Sequence, residues 1–168
     1  MKLLFSTSRL SVFELLSDTP QDDLSNLLAL VPELLTPKVV ENLPPYFHGI
    51  NSAADAKEWL ERMMSESRLF VVKQKDADAI IGFVFAYVEN DSAAHIGYLL
   101  GEAYWRQGLA SELLKAFVVQ VAQTESWDKL IAGVERSNQA SSALLEKLGF
   151  VEQSMSEEQV KFYQYPLH

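Results

Sequence analysis

The segment Gly101-Glu102-Ala103-Tyr104-Trp105-Arg106-Gln107-Gly108-Leu109-Ala110-Ser111 is where this chain concentrates its capacity for chemistry. An apolar run from Ala94 to Leu100 stops just before it, and a helical periodicity starts inside it. The first turn of a helix carries backbone N–H groups without intrahelical partners, and the helix dipole is positive there. Small residues at Gly108 and Ala110 let an anion approach those amides, and Arg106 adds a full charge. Arg106, Gln107, Gly108, Leu109, Ala110 and Ser111 thus form a cradle for a phosphate or diphosphate. No Gly-Lys-Ser/Thr follows, so the P-loop pattern is absent. A single glycine in the turn does not make the dinucleotide fingerprint either.

Other residue types narrow the chemistry. The chain has no cysteine, which excludes a disulfide framework, thiolate metal ligands and a cysteine nucleophile. A covalent acyl intermediate would need a serine or threonine. No spacing of His, Asp and Glu suggests a metal site. His95 lies on a strand and could contact a substrate, but a satisfied core or surface histidine is the safer reading, as it is for His48. Asn138 stands at the start of a second short helix, where it could cap the helix or meet a ligand, and Ser137 offers an alternative cap. Lys and Arg number 14 against 23 Asp and Glu, a formal charge of -9. That balance argues against direct binding to nucleic acid; it suits a cationic substrate such as an amine, and equally an acid excess that only keeps the protein in solution.

The elements that must hold these residues follow from periodicity. Lys2 to Leu15 reads as a strand. Thr19 is the expected N-cap of a helix with Pro20 at its first position, and Leu24, Leu27, Leu28 and Val31 share a face. Pro32 and Pro37 are expected to break that region into two short helices. After Pro44-Pro45, Ser52 and Asp55 form a capping box, and Trp59, Leu60, Met63 and Met64 a buried stripe. Leu69 to Val72, Ala79 to Val88 and Ala94 to Leu100 are strands. From Gln107 to Gln123 the apolar positions keep a helical period over four turns, the clearest helix in the chain. Leu130 to Val134 is a strand. Asn138 to Leu148 is a helix closed by Gly149, and Val160 to Tyr165 a final strand. No linker or repeat divides residues 1–168, which read as one domain of mixed α/β plan. No stretch approaches the roughly 20 apolar residues of a membrane span, and no export signal precedes the fold. The expected location is the cytoplasm, without a membrane.

A family becomes recognisable at this point. Gly97-Tyr98-Leu99-Leu100 followed by Tyr104-Trp105-Arg106-Gln107-Gly108-Leu109-Ala110 resembles the acetyl-CoA signature of the GCN5-related N-acetyltransferases (GNAT). Asn138-Gln139-Ala140-Ser141, leading into Leu145-Glu146-Lys147-Leu148-Gly149-Phe150, resembles the family's second motif. Ser8-Arg9-Leu10 is similar to the first strand of the RimJ/RimL-like branch, which acetylates the N-termini of ribosomal proteins. One departure is Trp105, where the family usually has Arg or Gln.

The resemblance implies a mostly antiparallel central sheet of about six to seven strands flanked by helices, and acetyl-CoA as co-substrate with no metal. It implies that backbone groups at Leu99 and Leu100 hold the pantetheine arm and that Arg106 to Ser111 hold the pyrophosphate. Asn138 would bond the pantetheine or order a water. A tyrosine acid, usual in relatives further along the second helix, is replaced here by Leu145. Ser141 resembles the serine acid of the ribosomal-protein branch. Glu135, Glu157 and Glu158 are the candidate bases, with a water relay as the alternative. Tyr46, Phe47 and Trp59 lie where relatives build an acceptor pocket, though core packing explains them as well. The implied acceptor is a primary amine, a ribosomal-protein N-terminus or a polyamine, on a monomer or homodimer. A non-catalytic CoA-binding module is the reading from a different class.

Overall fold

Strands β1 (Lys2–Ser6), β2 (Leu10–Glu14), β3 (Arg68–Gln74), β4 (Ala79–Glu89), β5 (Ala93–Leu100), β6 (Lys129–Glu135), β7 (Val151–Glu152) and β8 (Val160–Pro166) form one sheet in the order β1-β2-β3-β4-β5-β6-β8-β7. This is a computed structural model that describes residues 1–153 and 159–168. Helices α1 (Gln21–Leu34) and α2 (Ala53–Glu66) stand between β2 and β3, α3 (Leu109–Thr124) between β5 and β6, and α4 (Gln139–Leu148) between β6 and β7. All pairings are antiparallel except that of β5 with β6.

The sheet separates two apolar layers, because side chains alternate across a strand. On one face Leu27, Val31, Trp59, Leu60 and Met63 of α1 and α2 pack on Leu69, Val71, Phe83, Phe85 and Leu99. On the other, Leu109, Leu113, Leu114, Phe117 and Leu145 of α3 and α4 pack on Phe70, Val72, Val84, Ile96 and Leu130. A bulge in β4 changes the alternation. Val72 pairs with Gly82 and Lys73 with Ile80, so Ile81 has no partner on β3. Ile81 therefore joins the α3/α4 layer although Phe83, two residues on, belongs to the other. Gly82 fits this bend because a Cβ there would lie 2.1 Å from the Leu99 carbonyl oxygen.

Several sequence expectations are corrected. Lys2 to Leu15 is a hairpin of two strands rather than one, which helps raise the strand number to eight. Its turn is closed by the Thr7 N–H donating to the Leu10 carbonyl at 2.8 Å and the Leu10 N–H to Thr7 Oγ1 at 3.0 Å. Thr19 does not cap α1. Its hydroxyl donates to the Leu16 carbonyl at 2.6 Å, and the N-cap position is Pro20. Pro32 lies inside α1 without ending it, since the buried face of Leu27, Val31 and Leu34 holds the last turn in place. Ser52 does cap α2, its Oγ accepting from the Asp55 N–H at 3.1 Å.

Arg68 clasps three elements. Its Nε and Nη2 reach Glu14 at 2.8 and 2.9 Å, and its Nη1 reaches Glu125, past the end of α3, at 2.7 Å. The hydrogen bond to Glu14 leads the effects that push its pKa further up, against the cost of burial, so the guanidinium stays charged.

Candidate functional site

The parallel pairing of β5 with β6 covers residues 93–95 against 129–131 and then stops. Beyond it, among the described residues, β6 is held by β8 while β5 keeps only β4. Two hydrogen bonds fix which way the polar groups of β5 point. The Lys129 N–H of β6 donates to the Ser92 carbonyl at 3.4 Å, and the Gly101 N–H donates to the Ile81 carbonyl of β4 at 2.8 Å. Polar groups alternate along a strand, so those of Tyr98 and Leu100 face the gap beside β6 and those of Leu99 face β4. Of the two leucines singled out from the sequence, Leu100 offers its backbone to the gap. Leu99 instead buries its side chain among α1 and α2. The Leu100 carbonyl already accepts a bond of 2.8 Å from Trp105 Nε1. Trp105 thus ties the loop to the strand end, a role its departure from the family pattern did not reveal.

The loop after β5 runs into α3. Arg106 and Gly108 both take left-handed backbone, with φ of 62° and 76°. Gly108 is the N-cap of α3 and has no side chain to give, and the first helical bond runs from the Glu112 N–H to the Gly108 carbonyl at 3.1 Å. The N–H groups of Leu109, Ala110 and Ser111 lie ahead of that bond and point out of the helix end. Arg106 and Gln107 are exposed, and the Gln107 amide turns back to donate to the Ala103 carbonyl at 3.0 Å.

Arg9, at the β1–β2 turn, supports this loop from outside. Its Nη1 donates to the Gln107 carbonyl at 2.8 Å and its Nε to Glu112 Oε1 at 2.8 Å, with the Arg9 N–H adding a bond of 3.0 Å to Glu112 Oε2. Thr7 Oγ1 donates to the same carboxylate at 2.5 Å. Burial works against the Glu112 carboxylate, but the bonds from Thr7 and Arg9 outweigh it and hold its pKa below the ordinary value. Arg9 lies over a hundred positions before Glu112, so spacing gave no sign of this pair. The Ser8-Arg9-Leu10 motif was the only trace.

At the far side of the gap, Asn138 caps α4 by accepting the Ser141 N–H at 3.3 Å, so the capping alternative holds for its Oδ1. Ser141, in the first turn, is 3.0 Å from the Tyr98 hydroxyl across the gap. Burial raises the Tyr98 pKa, with the Ser141 bond pulling it partly back. Tyr98 had no role in the sequence reading beyond its place in the motif. Leu145, one turn further along α4, is 1% exposed in the α3/α4 layer. Glu135 is exposed at the end of β6, on the opposite face from the buried Val134 of the α3/α4 layer. Glu157 and Glu158 lie outside the described residues.

The other candidates have partners of their own. Phe47 and Trp59, each 2% exposed and 5.7 Å apart between ring centroids, are core residues. Tyr46 is half-buried under the Arg62 guanidinium at 3.9 Å. His95 pairs with Glu89 at 2.9 Å and His48 with the Leu43 carbonyl at 3.0 Å. Among the described residues no cluster of His, Cys, Asp and Glu could hold a metal, and no helix is long and apolar enough to cross a membrane.

A strand edge without its neighbour, a helix end with open amides and a hydroxyl pair across the gap suit an extended, phosphate-bearing ligand. Comparison with known proteins agrees. The family model described as an acetyltransferase (GNAT) domain matches residues 15–151. The uncharacterised protein YkkB of Bacillus subtilis is 24% identical over 156 residues, covering 88% of this chain and 84% of that protein. The structure of RimL, a ribosomal L7/L12 alpha-N-protein acetyltransferase in complex with coenzyme A, superposes with a TM-score of 0.80 at 15% identity, covering 98% of each chain. Spermidine N-acetyltransferase from Vibrio cholerae, in complex with CoA and spermine, gives 0.74 at 18% identity, covering 96% of this chain and 97% of its own. With the family model spanning most of its length, this chain belongs to the acetyltransferase (GNAT) family and is an acetyl-CoA-dependent N-acetyltransferase.

Proposed function

We propose that this enzyme acetylates the N-terminal α-amine of a protein, of the ribosomal-protein type, within a ternary complex. The observation that carries the acetyl-CoA part of this reading is the unpaired edge of β5 at Tyr98 and Leu100, leading directly to the open amides of Leu109, Ala110 and Ser111. The diphosphate of acetyl-CoA sits on those amides with Arg106 beside it. The pantetheine arm lies along the β5 edge, where the Leu100 N–H is free to polarise the thioester carbonyl and stabilise the charge that develops on its oxygen. Asn138 keeps its Nδ2 for the arm or a water. The amine attacks the carbonyl carbon directly. Glu135, on the sheet face away from α3 and α4, takes the proton it sheds, either itself or through water.

The fold shared with RimL at a TM-score of 0.80 supports an N-terminal acceptor. A polyamine is the second reading, favoured by the net charge of -9 and by the likeness to the spermidine enzyme. The deciding experiment measures thiol release from acetyl-CoA with peptides beginning in Ala or Ser and, separately, with spermidine and spermine. Turnover of the peptides alone is expected. Turnover of the polyamines alone overturns the acceptor assignment. Calorimetric binding of acetyl-CoA without turnover of any amine favours a non-catalytic module.

A further inference from the structure

We propose that Tyr98 is a positioning residue that fixes the direction of the Ser141 hydroxyl, so that Ser141 presents its hydrogen to the sulfur of the departing coenzyme A. The inference rests on the function proposed above and adds a residue to it. Tyr98 reaches from β5 on the α3/α4 side, and Ser141 from the first turn of α4, to meet at 3.0 Å across the gap where β5 and β6 part. Ser141 stands in the first turn of α4, ahead of the carbonyls to which a mid-helix serine turns its hydroxyl back. With Tyr98 alongside, the serine oxygen has a partner of its own.

The direction of the bond follows from the two hydroxyls. A phenol is a far stronger acid than an aliphatic alcohol and hence the better donor. Burial raises the Tyr98 pKa despite the Ser141 bond, which keeps the phenol protonated and donating near neutral pH. Ser141 Oγ accepts that hydrogen, and its own remains to be given away. Its position in the first turn of α4 adds the positive end of the helix dipole. Leu145, buried in the core, brings no hydroxyl to this region.

In the reaction the amine nitrogen bonds to the acetyl carbon, the carbon–sulfur bond breaks, and its electron pair passes to sulfur. Ser141 donates a hydrogen bond to the forming thiolate. The amine loses one proton to base and water, and the released thiolate gains one from water, so the proton count balances.

The test compares wild type, Tyr98→Phe, Ser141→Ala and the double variant, with acetyl-CoA and an amine that wild type acetylates. Phenylalanine keeps the ring packing and removes only the hydroxyl. Tyr98→Phe is expected to lose about tenfold in kcat with the KM for acetyl-CoA unchanged, the size of one hydrogen bond to a charged group. The double variant should be no slower than Ser141→Ala. Ultraviolet titration of the thiol of bound CoA supplies a readout that needs no acceptor. Its pKa should rise by about one unit in either single variant. A Tyr98→Phe enzyme with wild-type kcat and an unshifted thiol overturns the proposal. If Tyr98→Phe does not fold, an unshifted thiol in Ser141→Ala overturns it instead. Wild-type protein that takes up no CoA sinks the functional reading, and this inference with it.

Discussion

Replacing Arg9 tests whether the cofactor loop is held in shape from outside. Arg9→Ala removes the 2.8 Å bond to the Gln107 carbonyl and the 2.8 Å bond to Glu112. The Arg9 side chain is 42% exposed and that of Glu112 20%, so the ion pair itself is discounted to about 0.5 kcal/mol. The charge-assisted bond to the Gln107 carbonyl contributes about 1.5 kcal/mol more. Arg106 and Gly108, on either side of Gln107, both hold left-handed backbone, which costs Arg106 about 1 kcal/mol. Without the brace the loop has less reason to keep that shape. Stability should fall by about 2 kcal/mol in urea unfolding, and the KM for acetyl-CoA should rise about tenfold with kcat little changed. Arg9→Lys separates shape from charge. A lysine keeps the charge but cannot reach Gln107 and Glu112 together as the guanidinium fork does. It should therefore behave nearly as alanine does. Full rescue by lysine, or an unchanged KM in the alanine variant, would refute the brace.

Three further outcomes follow from contacts described above. Gly82→Ala should lower stability by 3 kcal/mol or so or abolish folding, read by thermal melting, because the new Cβ meets a backbone oxygen at 2.1 Å that cannot swing aside. Glu112→Gln should cost stability with a particular pH dependence. The Glu112 pKa is lowered on folding, so its contribution is present in full above the ordinary carboxylate value, about 4.3, and disappears as pH falls through the lower folded value. Melting curves of wild type and variant should therefore lie apart at neutral pH and converge in acid. A constant separation would contradict the assignment. Trp105→Phe should cost about 1 kcal/mol by freeing the Leu100 carbonyl, and weaken acetyl-CoA binding in calorimetry; a variant indistinguishable from wild type would show that the 2.8 Å bond is idle.

Much of the fold was legible because it is written in local periodicity. The apolar face of α3 and the left-handed Gly149 closing α4 both signal themselves within a few turns. Elements with little or no local signal were missed. The β1–β2 turn contains no Gly, Pro or Asn, and a threonine hydroxyl closes it. Pro32 looked like a breaker, yet tertiary burial of Val31 and Leu34 carries α1 past it. The bulge at Ile81 is set by pairing with β3, and its local sign is a single glycine, Gly82, inside the strand. At the site, the helix start proposed as a phosphate cradle carries a local sign, its small residues Gly108 and Ala110. The side chains that brace or orient it carry none. Arg9 with Glu112 and Tyr98 with Ser141 meet only through topology, across separations of 103 and 43 positions.

The short run where β5 lies against β6 has a mechanical consequence. Three paired positions zip the half-sheet β1 to β5 to the half-sheet β6, β8 and β7, and the strands then open like a wedge. Whatever lies in the wedge touches both halves and acts as a missing rung of the ladder. With acetyl-CoA placed there as proposed, the ligand is a structural member as well as a reactant, and its binding energy adds to the resistance of the whole sheet to melting. By the same lever, a bulkier side chain at Ala94, wholly buried in the zip, would alter the opening angle and thereby the grip on a ligand that it never touches.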